Sequence, residues 1–312
     1  MTESPTTLSR RSLITAAAAA GIITPQFAAT GVIAASHASS GFAARLGTVQ
    51  VTKRGPATIH TYMASERSAL VTSHVIEAEN GLYLVDCQFT NSHAAEFRAY
   101  ANALGKPIRQ VHISHPHPDH FSGYAKNFSD VPVVTTDKVR AVMKKRWIDS
   151  GRIKDLAKPL GKEAPEAFVE PAGSVGVGGA DWGGIAVNVL QYENAESLVH
   201  SVVHIPEAKT LIVQDLAFAN AHFFPLGDNA NWVNVLGELS KIEDVDLVLS
   251  GHGLPALPGV FDDCVDYLTF LQAAFKKYKT ADEAIAAMTA EYPGYGARGI
   301  LRFIKRAYKK GH

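Results

Sequence analysis

Between positions 115 and 120 the chain reads His115-Pro116-His117-Pro118-Asp119-His120, three imidazoles and a carboxylate in one short run. Neutral imidazole nitrogens and carboxylate oxygens are the donors a transition metal takes at about 2 Å. The run therefore predicts a metal-binding loop. Gln110-Val111-His112-Ile113-Ser114 just before it reads as the end of a buried strand. The donors are thus expected where the chain leaves a sheet, the usual place for chemistry on a rigid scaffold. Pro116 and Pro118 fix φ at alternate positions and so lower the entropy lost when the donors are held in one geometry. Gly123 supplies a tight exit turn.

The 312 residues, 46% of them apolar, suffice for a sizeable core in one large domain or two small ones. Lys+Arg and Asp+Glu balance at 30 each, so charge makes no case for nucleic acid or an acidic membrane surface as a partner. A small-molecule substrate is the expected partner, and oligomeric state is not legible. The two cysteines, Cys87 and Cys264, exclude a disulfide framework and leave open a single bridge or two buried thiols.

At the N-terminus, Ser9-Arg10-Arg11-Ser12-Leu13-Ile14 precedes an apolar, alanine-rich run over 15–23, and Ala34-Ala35-Ser36-His37-Ala38 offers small residues for cleavage. The segment resembles a twin-arginine signal, which implies a bacterial protein exported already folded, to the periplasm or beyond. Thr24-Pro25-Gln26 breaks the apolar run short of a membrane span, and no other stretch approaches that length. The expected division is a signal over 1–38, a main domain over 39–260 and a helical extension over 261–312, with no membrane contact in the mature form.

Beyond about residue 45 short strands and turns dominate. Residues 48–53, 57–63, 69–77 and 82–85 are β-branched or alternating, with Glu79-Asn80-Gly81 as a hairpin turn. A helix is predicted over about 92–104, a strand over 131–135 and a basic helix over about 138–148. Residues 150–180, rich in Gly, Pro and Lys, read as a loop or flap. The second half repeats the alternation, with strands at 185–191, 199–204 and 210–213, a helix at 232–239, a strand at 246–249 and helix from about 260 to the end. Two sets of strands followed by helices predict an α/β layered sandwich with helices outside.

The order of His115-x-His117-x-Asp119-His120, a loop near 196, Asp215 and Ser250-Gly251-His252-Gly253 resembles the metallo-β-lactamase superfamily over about residues 46–256. Val85-Asp86 after the hairpin matches that family's early strand-end aspartate. The resemblance implies a four-layer αββα sandwich with two divalent metal ions at the sheet edges. It assigns His115 and His117 to the first metal, Asp119, His120 and His252 to the second, and Asp215 to both. It also implies hydrolysis by a metal-bridging hydroxide that Asp119 orients, with no serine or cysteine nucleophile. The expected substrates are small-molecule esters, lactones, sulfate esters or amides.

One position departs from the common pattern. Where most members place histidine, this chain reads Asn194-Ala195-Glu196-Ser197. Secondary alkylsulfatases of the superfamily are similar in having a glutamate there, although they are about twice as long. Glu196 is thus the expected third donor of the first metal, with His200 the second candidate. A carboxylate hardens the site, so zinc is expected with manganese or iron as alternatives. An iron-dependent oxidoreductase or dioxygenase, and a β-lactamase, are the alternative activities. Phe218, His222 and Trp232 follow closely on a donor-bearing strand and are candidates for substrate contact. Phe218 stands where acyl-homoserine lactonases carry tyrosine, which disfavours a lactonase of that type.

Overall fold

The computed structural model describes residues 42–152, 154–225 and 229–310. The expected signal over 1–38 lies outside the described residues. Seven strands form the first sheet in chain order: β1 (Thr48–Arg54), β2 (Ala57–Met63), β3 (Thr72–Glu77), β4 (Leu82–Val85), β5 (Ile108–His112), β6 (Val133–Thr135) and β7 (Gly173–Ser174). The first four pair antiparallel, as tight hairpins allow. From β4 to β7 the pairing is parallel. The second sheet has the order β12-β11-β10-β9-β8, built from β8 (Gly178–Asp181), β9 (Ala186–Glu193), β10 (Val199–Ile205), β11 (Thr210–Phe218) and β12 (Leu247–His252). There β8 to β11 are antiparallel, and β11 to β12 is parallel.

Strand alternation sorts the apolar side chains into three cores. Ile59, Ile76, Tyr83 and Val85 of the first sheet meet Val187, Val203, Ile212 and Leu249 of the second in the seam between the sheets. Leu82, Leu84 and Val111 point the other way, onto Ala94, Phe97 and Ala101 of the helix Asn91–Ala103. On the far side Leu211, Val213 and Val248 pack on Trp232 and Leu236 of the helix Asn229–Leu239 and on Leu268 and Leu271 of the helix Val260–Lys277. The order helix, sheet, sheet, helix is the αββα sandwich expected from the sequence. Further helices at Ala281–Glu291 and Arg302–Lys310 follow, the first opened by a capping box between Thr280 and Glu283.

Three local expectations change. Residues 150–180 are not a bare loop: they hold the helix Lys154–Leu160 and the short strands β7 and β8, whose glycines leave no side-chain period to read. β3 starts at Thr72 rather than 69, because Ala69 and Leu70 adopt φ of 56° and 59° after the turn Glu66–Ser68. β11 runs on to Phe218 through irregular pairing with β12. Cys87 and Cys264 are two separate buried thiols. Among the described residues no helix is long and apolar enough to cross a membrane.

Candidate metal centre

Three strands and two turns converge on one rim. β5 leads into His115; His117 then precedes a short helix, Pro118–Phe121, whose first residue is proline, and this turn projects Asp119 and His120. Asp215 sits in β11 one residue past Gln214, which takes φ of 47° and locally bends the strand. His252 ends β12. Glu196 lies in the tight turn between β9 and β10, closed by Asn194 donating its amide to Leu198 at 3.0 Å. β5 and β12 deliver their residues at or beyond their carboxyl ends, where open sheets place ligands, and β11 presents Asp215 from within the strand at its irregular pairing with β12.

The donors form two overlapping groups, in each of which the ligand atoms lie within 4.8 Å of one another: His115, His117, Glu196 and Asp215, and Asp119, His120, Asp215 and His252. Asp215 belongs to both. Its Oδ1 lies 2.9 Å from His120 Nε2, and its Oδ2 lies 3.5 Å from His115 Nε2 and from His252 Nε2. Glu196 Oε1 stands 3.3 Å from His117 Nδ1, and Asp119 Oδ2 stands 3.5 Å from His252 Nε2. All but Asp119 are buried, and the Asp119 side chain is 25% exposed. His115 Nε2, His120 Nε2, Glu196 Oε2 and Asp215 Oδ1 are buried yet make no hydrogen bond. Orphaned polar atoms facing one another are costly unless a cation satisfies them together, so the donor set fits divalent metal. Gly251 is the cradle for Asp215, since a Cβ there would stand 1.9 Å from Oδ1.

A family model described as the metallo-beta-lactamase superfamily matches residues 69–252. The chain belongs to the metallo-beta-lactamase superfamily. Among solved structures, a metallo-beta-lactamase from Pontibacter korlensis is similar at 20% identity and a TM-score of 0.53, over 71% of this chain and 99% of that one. One from Hirschia baltica reaches 19% and 0.53, over 71% and 97%. FIM-1 from Pseudomonas aeruginosa, determined in a mono-zinc form, reaches 15% and 0.52, over 71% and 95%. At such identities the likeness concerns the fold. No curated protein matches the chain. Members of the superfamily are mostly metal-dependent hydrolases, and this member carries His, Asp and Glu clusters able to hold a divalent ion.

Protons occupy the metal-free centre unevenly. Burial disfavours charge on His120 and His252, but the Asp215 and Asp119 carboxylates outweigh it and raise both, His252 to about 9. Burial would likewise lift Asp215, yet His120 and His252 hold its carboxyl well below the usual range. On the other side, burial and then the Asp215 and Asp119 charges push the Glu196 carboxyl well up, while burial and His115 take His117 down to about 3. These shifts favour protons on His120 and His252 when no cation is bound. Metal must displace them, so divalent-ion affinity is expected to strengthen as pH rises from about 6 toward about 9, with proton release on uptake. Isothermal titration in buffers of different ionisation enthalpy checks this; uptake without proton release at pH 7 would contradict it.

Behind the donors lies a buried polar chain. His120 Nδ1 donates to Asp86 Oδ2 at 2.8 Å, and Asp86 also accepts from the Ser114 amide and hydroxyl at 2.8 and 2.7 Å. The Gln214 amide donates to Asp86 and accepts from His74 Nε2 at 2.9 Å, and His74 Nδ1 meets Thr61 Oγ1 at 3.0 Å. Such partners fix imidazole tautomer and direction. His252 Nδ1 donates to the Ala69 carbonyl at 2.7 Å. His200 stacks on His115 with ring centroids 4.3 Å apart and aims Nε2 at Glu196 Oε2, 3.4 Å away, from outside the donor groups.

Of the candidate substrate contacts, Phe218 stacks on His252 at 4.8 Å and 18°. Trp232 is fully buried, its indole N–H donating to the Leu216 carbonyl at 3.0 Å. His222 is also fully buried, with Nδ1 3.1 Å from the Tyr267 hydroxyl. Both side chains pack within the core behind β11, where His222 Nε2 makes no hydrogen bond. Gln214, His74 and Arg146 escaped the reading of the sequence. The only signal for the first two was a polar residue inside an apolar strand.

Proposed function

We propose that the protein is an exported dinuclear metallo-hydrolase of small-molecule esters, lactones, sulfate esters or amides. The observation that supports it is Asp215, shared by two donor groups that each hold three further ligands. Bound divalent ions, zinc with manganese or iron as alternatives, would supply Lewis acidity and lower the pKa of water at the centre. His115, His117, Glu196 and Asp215 would hold one ion, and Asp119, His120, His252 and Asp215 the other. Asp119, the one partly exposed donor, faces the approach of substrate; its carboxylate orients the attacking water and accepts its proton. Burial of the remaining donors excludes bulk water, so divalent ions held there would act on developing negative charge in a low-dielectric site.

Glu196 takes the place of the usual histidine, as in alkylsulfatases. Its replacement by glutamine keeps the shape and removes the charge. Glu196→Gln is expected to lose about one metal equivalent and about 10²-fold in activity. A Glu196→Ala protein that keeps both ions and full turnover would exclude the residue as a ligand.

The deciding experiment is metal quantification on the chain from Ala38 onward, coupled to a panel of ester, lactone, alkyl-sulfate and β-lactam substrates. Two divalent ions per chain and turnover of an ester, lactone, amide or sulfate ester support the proposal. A chain that keeps no metal after dialysis and turns over nothing refutes it. The three carboxylates of the centre also suit iron, so coloured, iron-loaded protein that consumes oxygen would move the assignment to an oxidoreductase. Fractionation of a bacterial host with Arg10 and Arg11 changed to lysine tests export: mature protein in the periplasm despite the change argues against the twin-arginine route.

A further inference from the structure

Trp147 ties a cationic segment to the metal-binding loop. Its indole N–H donates to the carbonyl of Pro116, between His115 and His117, at 2.7 Å, and Phe121 and Phe168 wall its ring at 6.3 and 5.3 Å. The turn that carries it, Lys144–Ile148, is π-helical, a widening that re-aims side chains and recurs at functional sites. Arg146 and Arg152 lie over that ring, with guanidinium carbons 5.8 and 4.7 Å from its centroid. Arg152 has an acid, Asp155, at 2.9 Å. Arg146 has none paired with it among the described residues.

Arg146 is nevertheless half-buried, beside the loop that carries His115 and His117. Glu196 does not neutralise it by contact: that carboxylate turns its oxygens toward His117 and His200 at 3.3 and 3.4 Å. Burial and Arg152 both disfavour the Arg146 charge, and only Glu196 favours it. A guanidinium stays protonated at any physiological pH, so it cannot escape by losing its proton. No carboxylate is paired with it among the described residues, so its donors are open to an anion from outside.

We propose that Arg146, with Arg152 beside it, forms a subsite for an oxyanion, a carboxylate or a sulfate, carried by the substrate next to Glu196. The planar fork of Arg146 presents paired donors to such a group. The subsite rests on the hydrolase reading for what is cleaved, and narrows the substrate to one bearing a negative group within reach of the first donor set. Anion binding itself is readable without turnover.

Calorimetric titration of the metal-loaded full chain with succinate and with inorganic sulfate tests it, for the native protein and Arg146→Met. The native protein is expected to bind at least one of the two, and Arg146→Met to bind it about tenfold or more weakly, with metal content unchanged. Preference for succinate assigns a carboxylate, and preference for sulfate assigns a sulfate. Arg146→Lys, which keeps the charge and loses the fork, should fall between. Equal affinity in both proteins, or no binding of either anion, overturns the subsite. Loss of metal from Arg146→Met overturns it too, by making Arg146 part of the metal's own support. Absence of turnover on neutral and anionic nitrophenyl esters alike counts against the hydrolase reading and leaves the titration to decide the subsite.

Discussion

Asp215→Asn is expected to strip the centre of metal, to less than about one ion per chain, and to lower any hydrolytic activity by about 10³-fold or more. The side chain keeps its volume, so the effect reads charge and lone pairs rather than packing. Asp215 is the one residue shared by both donor groups, and it lies within 3.5 Å of a ring nitrogen of His115, His120 and His252. An amide can keep one acceptor toward one imidazole; it cannot serve two cations from two anionic oxygens. The fold should survive because the amide keeps the side chain's volume, although His120 and His252 lose the carboxylate that favours their protonated forms. Metal analysis beside circular dichroism separates the cases. A folded Asp215→Asn protein with full metal content would sink the shared-ligand assignment.

Trp232→Ala should act on stability instead. Trp232 fills the layer between β11 and the outer helices, against Phe218 and Phe223 at 6.3 and 5.3 Å, and its N–H is committed to the Leu216 carbonyl. Truncation leaves a cavity and an unpaired carbonyl, a combination that costs about 3–5 kcal/mol. For a domain of this size the melting temperature should fall by roughly 10 °C. Substrate KM, measured where the variant is still folded, should move by less than about threefold. A large rise in KM at unchanged melting temperature would instead put Trp232 in contact with substrate.

The fold was legible because its instructions are local. Alternation in β2 and β4, the turn at Glu79-Asn80-Gly81 and the apolar strands before His115 and His252 each need only their own neighbours to be read. The donor-rich run over 115–120 was legible because metal chemistry demands rare residue types in short order. Asp215, His252 and Glu196 were harder: a lone acid or imidazole has no signature, and only the family resemblance, which expects a donor at each of those places, singled them out. Gln214 and His74 meet across 140 positions of sequence, so nothing local announces that pair. Arg146 belongs to a basic helix on paper; that no acid among the described residues pairs with it, beside an anchored tryptophan, is a fact of three dimensions. The glycine-bearing strands β7 and β8 are set by pairing with a neighbour, which composition alone reads as loop.

The chain of hydrogen bonds from Thr61 through His74, Gln214 and Asp86 to His120 crosses from one sheet to the other, because Gln214 belongs to β11 while Thr61 and His74 belong to the first sheet and Asp86 directly follows its strand β4. The aim of His120 is therefore braced by the seam of the sandwich rather than by the loop that carries it. Such a division of labour lets evolution redraw the entrance, and so the choice of customer, while the catalyst behind it stays as built.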